Sequence, residues 1–84
     1  MIHELIRREA EAWSRHAALF RGPDSDTSRR TAVILRRLAG VTEAHGLAGL
    51  HGFMSCRAYS TSVTDPTKHL VEDTIRRILN GETQ

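Results

Sequence analysis

Ile6, Ala10, Trp13, Ala17 and Phe20 recur at alternating intervals of four and three residues. Only a helical backbone turns such a series onto one side, so the segment from Ile2 to Arg21 is predicted to be an amphipathic helix. Its seam has to be covered by other elements, because packing of the apolar face supplies most of a helix's stability in water. On the opposite face Glu4 and Arg8, Arg7 and Glu11, and Glu11 and Arg15 stand four apart. They are expected to pair within the helix at about 0.2–0.5 kcal/mol each. A second apolar row, Leu5, Ala12 and Leu19, runs beside the first, with Glu9 and His16 between the rows. That second row is the expected contact for a homodimer.

Gly22-Pro23 ends this helix, since proline lacks an N–H and biases the residue before it away from helical angles. Asp24 to Ser28 then offers several N-caps for the next one. The stretch Thr27 to Ala39, TSRRTAVILRRLA, is at once strongly apolar and of one sign of charge. At 100° per residue Thr31, Ile34, Leu35, Leu38 and Ala39 share one face, and Arg29, Arg30, Arg36 and Arg37 share the other with Val33 in their midst. This second helix is predicted to run to Gly40, or to His45 if the glycine is tolerated inside it.

Val41 to Thr64 is harder to read because glycines at 40, 46, 49 and 52 each weaken a helix by about 0.8–1 kcal/mol relative to alanine. Leu47, Leu50 and Phe53 nevertheless keep a spacing of three, which suggests a short helix around Thr42 to Leu50. The spacing Gly46-x-x-Gly49-x-x-Gly52 reads first as a turn-rich connection and second as a place for close backbone approach. Phe53 to Val63, with its aromatic and β-branched residues, suits an extended segment, although it lacks a hairpin partner. Asp65-Pro66 marks a helix start, Asp as N-cap and Pro at the first helical position. The last helix is predicted over Pro66 to Asn80, with Leu70, Val71, Thr74, Ile75, Ile78 and Leu79 facing inward. Pairs Glu72–Arg76 and Asp73–Arg77 lie outside, and Gly81 ends it. The expected fold is a single all-α domain over residues 1–84: three amphipathic helices and a short irregular Gly-rich helical or turn segment.

The chain is long enough to bury about 60–65% of its unfolded surface, so it has one modest core. Its lone Cys56 excludes an intramolecular disulfide, and its longest apolar runs are four residues, Ala17 to Phe20 and Ala32 to Leu35. With no signal peptide or membrane span in the sequence, a cytoplasmic setting is expected. The formal charge of +2 says little about partners; its distribution says more. Residues Thr27 to Thr42 carry four arginines and no acid, whereas the first and last helices nearly balance.

An arginine face around an apolar point suits two tasks: docking an acidic protein patch, with Val33 as anchor, or gripping phosphates. The competing reading is a solvated face whose arginine stems cover Val33 and whose acids come from elsewhere in the fold. Other constellations are weaker. Glu9 and His16 lie about 10.5 Å apart along a helix axis, too far for direct contact. His45, His51, Cys56 and His69 have spacings of six, five and thirteen, which match no zinc pattern. Cys56 next to Arg57 lacks any catalytic companion and reads as a small, partly buried thiol. Tyr59-Ser60-Thr61-Ser62 offers hydroxyls for modification but reads as an ordinary polar connection. No phosphate-binding glycine loop or nucleophile elbow occurs. A helix-turn-helix lacks a recognition helix, since Thr42 to His51 carries no Arg, Lys, Asn or Gln, and a ribbon-helix-helix would need one more helix after residue 63.

The sequence therefore points to a small non-enzymatic binding protein without cofactor or metal. As an adaptor, regulator or inhibitor it would engage a macromolecule, a protein before a nucleic acid, through Arg29, Arg30, Val33, Arg36 and Arg37. The alternative is a nucleic-acid-binding regulator using the same arginines on phosphates.

Overall fold

The computed structural model describes residues 1–19 and 22–81. Four helices follow in order: α1 (Ile2–Leu19), α2 (Pro23–Ser55), α3 (Arg57–Ser62) and α4 (Thr67–Leu79), and there is no strand among the described residues. The protein is an all-α bundle. α1 lies along α2, its most extensive neighbour, while α4 touches both and α3 packs on α2.

The seam of α1 is buried at Ile6, Ala10 and Ala17 and half-buried at Trp13; Phe20 lies outside the described residues. Opposite it, α2 buries Thr31, Ala32, Leu35, Leu38 and Ala39 completely or nearly so, and α4 contributes Val71, Ile75 and Ile78. Three buried threonines sit in this core at no polar cost, because each hydroxyl donates to the carbonyl four residues earlier. These are Thr31 to Thr27 O (2.8 Å), Thr42 to Leu38 O (2.7 Å) and Thr74 to Leu70 O (2.8 Å). At the α1–α2 corner the buried Ser25 hydroxyl donates to Ala17 O at 2.8 Å, which ties the end of α1 to the first turn of α2.

The glycine-rich region departs from the expected short separate helix. Gly40 lies inside α2, which continues unbroken to His45, and the break falls at Gly46 (φ 71°, ψ −162°). A straight 33-residue helix would span about 50 Å at 1.5 Å per residue, yet the longest dimension of the molecule is 35 Å. A bend is therefore needed, and Gly46 supplies backbone angles that other residues scarcely adopt. Beyond it a second arm, residues 47–55, carries Leu50 to full burial in the common core. Gly49 rides close over Val41 and His45 of the first arm, a close approach within one helix.

The segment expected to be extended over Phe53 to Val63 is helical instead, apart from a junction at Cys56 (φ −76°, ψ 157°) and its last residue, Val63, which is extended (φ −100°, ψ 111°). A lone strand would leave its backbone groups without partners, whereas a helix satisfies them locally. Cys56 promotes the restart: its Sγ accepts the N–H of Tyr59 at 3.4 Å, capping α3, and Phe53 meets Tyr59 edge to face at 6.1 Å. At the next junction Asp65 is not the N-cap. α4 begins at Thr67 with Pro66 in the cap position and no side-chain cap, because backbone carbonyls already take the early donors, Lys68 N–H to Thr64 O and Leu70 N–H to Pro66 O. Gly81, at φ 77°, follows the last turn as expected.

The charge pairs are also redistributed. Instead of pairing along α1, Arg7 reaches Glu43 and Glu11 reaches Arg36 of α2, each at 3.2 Å, with His3 Nε2 3.7 Å from Glu43. In α4 Asp73 serves both Arg76 and Arg77, leaving Glu72 to accept the Tyr59 hydroxyl at 3.3 Å.

Candidate macromolecule-docking face

The first arm of α2 presents Arg29, Arg30, Arg36 and Arg37 to solvent, because the stripe from Thr31 to Ala39 turns the opposite side inward. Val33 is 41% exposed in their midst, so the arginine stems do not close over it. The four cations are not equivalent. Arg29 meets Asp26 and Arg36 meets Glu11, both at 3.2 Å on the surface; pairs this exposed contribute about 0–1 kcal/mol and give way readily. Arg30 and Arg37 have no carboxylate partner among the described residues. The acid of Glu11 comes from another helix and removes part of the uncompensated charge that sequence spacing implied.

Beside this face runs a groove of about 350 Å³. Arg29, Arg30, Val33 and Ile34 form its α2 side, and Ser62, Val63, Thr64 and Thr67, from the end of α3 and the start of α4, form the other. Among the described residues two guanidinium groups, three aliphatic side chains and three hydroxyls line it, with no carboxylate. Arg36 and Arg37 lie one turn further along α2, outside the groove. Nothing in the spacing of residues 62–67 marks them as part of a site. They join it because the α3–α4 turn is brought against α2 when Val63 enters the core, where it is 5% exposed.

The other singled-out residues are dispersed. Leu5 packs against the core as a half-buried side chain, while Ala12 and Leu19 face solvent, Leu19 being 78% exposed. Glu9 is half-buried, and His16 has its Nδ1 2.9 Å from the Ser28 hydroxyl and its ring edge-on to Trp13 at 5.9 Å. The Ser28 contact links α1 to α2 and had no sequence signal. His45, His51 and His69 are exposed, and no group of three or more His, Cys, Asp or Glu side chains among the described residues is placed to hold a metal ion. Cys56 is half-buried and engaged as the α3 cap. Tyr59 is buried in the core; its phenol is pushed up to about 12, first by burial and then by the charge and hydrogen bond of Glu72. Ser60 and Thr61 both donate to Arg57 O, at 3.1 and 2.8 Å.

No helix among the described residues is long and apolar enough to cross a membrane. Comparison with family models, with characterised proteins and with solved structures finds no match to this chain.

Proposed function

We propose that this is a small non-enzymatic binding protein, an adaptor, regulator or inhibitor, that occupies a macromolecular partner through the arginine face of α2. The observation that carries the reading is Val33, exposed among four guanidinium groups of which two lack a carboxylate partner among the described residues. Arginine is enriched at protein interfaces and their hot spots, and Val33 gives this face an apolar point that a partner can desolvate. The same arginines on a phosphate backbone form the alternative. It is disfavoured because an apolar centre adds nothing to a phosphate contact. Self-association through Leu5, Ala12 and Leu19 is a separate element of the proposal, resting on the exposure of Ala12 and Leu19 beside the half-buried Leu5.

A photo-crosslinking amino acid at position 33 tests the face. The expected adduct is sensitive to protease and resistant to nuclease, and it disappears in the Arg30→Glu/Arg37→Glu variant while far-UV circular dichroism is unchanged. An adduct indifferent to that charge reversal, or no adduct, makes the face a solvated surface. A nuclease-sensitive adduct assigns it to nucleic acid.

A further inference from the structure

We infer that the groove between α2 and the α3–α4 turn receives an acidic segment of a partner protein, one apolar side chain of which enters between Val33 and Val63 while its carboxylates meet Arg29 and Arg30. This rests on the arginine-face reading and moves its centre away from Arg36 and Arg37 toward the groove.

Charge complementarity selects the occupant. Among the described residues the lining holds two cations and no acid, so a neutral or basic segment would leave the guanidinium groups poorly matched as they lose water. Arg30 has no carboxylate among the described residues, and Arg29 can exchange Asp26, bound at 3.2 Å on the surface, for a partner's acid. Beside the cations Val33, Ile34 and Val63 provide an aliphatic cleft. Its volume of about 350 Å³ lies at the small end of ligand clefts, suited to one or two apolar side chains. The hydroxyls of Ser62 and Thr64, on the far wall, can donate to the segment's backbone carbonyls. Single-stranded nucleic acid fits less well, because no aromatic side chain among the described residues lines the groove to stack on a base.

Random peptides displayed on phage and selected on the full chain provide the probe; the most enriched peptide is then labelled with fluorescein and titrated by anisotropy. The enriched sequences are expected to carry at least two Asp or Glu residues within a helical turn or two of a Leu, Ile, Val, Met or Phe. Ser62→Glu puts a carboxylate on the groove wall opposite Arg29 and Arg30 while leaving all four arginines in place, and it should weaken the peptide at least about tenfold, as like-charge juxtaposition does at interfaces. Val33→Asp should do the same, whereas Ala44→Glu, exposed elsewhere on α2, should not. Circular dichroism confirms that each variant folds. Enriched peptides without acids, no enrichment, or parental affinity in Ser62→Glu would each overturn the inference. If Arg30→Glu/Arg37→Glu abolishes peptide binding but Ser62→Glu does not, the groove is wrong and the arginine face stands; if neither variant matters, both fail. Displacement of the peptide by duplex DNA, or a concentration-dependent dimer lost in Ser62→Glu, would give the groove to a nucleic acid or a second copy and likewise overturn it.

Discussion

Substituting alanine for the glycines of α2 one at a time should shift stability in opposite directions, and the sign at each position follows from local geometry. At Gly46 the backbone stands at φ 71°, ψ −162°, a region that is essentially glycine's alone and costs other residues about 1–3 kcal/mol. No atom lies within 4 Å of where its Cβ would be, so neither clash nor new packing alters that cost. Gly40 has the same open surroundings but helical angles. Gly40→Ala should therefore stabilise the protein by about 0.5–1 kcal/mol, through helix propensity and a less flexible unfolded chain. At Gly49 an added methyl would stand 2.5 Å from His45 Cβ and 3.2 Å from Val41, a crowding expected to cost about 1–3 kcal/mol. For a domain of this size each kilocalorie corresponds to about 4–8 °C in melting temperature. Urea denaturation followed by circular dichroism resolves such differences, provided the slope with denaturant is unchanged. The reasoning is refuted if Gly46→Ala gains stability as Gly40→Ala does, since residue 46 would then sit in an uninterrupted helix.

Tyr59, the single tyrosine, should ionise near pH about 12 in the folded protein, above its ordinary value of 10.0. The folded state thus holds this proton more tightly than the unfolded chain, so the stability it contributes is complete below pH about 10 and is lost as pH rises through about 12. Ultraviolet titration of the phenol checks this. Glu72→Gln should lower the midpoint only part of the way, because burial is the larger cause, and an ordinary midpoint in the folded parent would contradict the burial of Tyr59. Leu19→Glu should preserve helicity, because Leu19 faces solvent at the end of α1, and should release any dimer held through Leu5, Ala12 and Leu19. A parent that already sediments as a monomer at the highest attainable concentration excludes that contact.

The spacing of apolar residues alone determined α1, the first arm of α2 and α4, together with the inward or outward direction of most side chains on them; Leu79, expected to face inward, is exposed at the last turn of α4, and Leu5 of the outer row packs on the core. The spacing does this because a helix closes its hydrogen bonds within four residues, so angular position about its own axis is a local property. For the same reason the exposed set Arg29, Arg30, Val33, Arg36 and Arg37 was legible, as was the end of α4 at Gly81. Only tertiary structure decided that Gly46 and not Gly40 interrupts α2: a glycine is compatible with either state, and the choice turns on whether Leu50 reaches the core built by α1 and α4. Only packing made residues 57–62 a helix, with Cys56 capping Tyr59 where composition had favoured an extended segment. It also sent Arg7 and Glu11 across to α2, since an exposed ion pair is worth so little that the nearest carboxylate in space replaces the nearest in sequence. The groove belongs to the same category. Periodicity reports how a residue is turned about its own helix but not which other element lies opposite, so Ser62, Val63 and Thr64 become neighbours of Arg29 and Arg30 only when Val63 is drawn into the shared core.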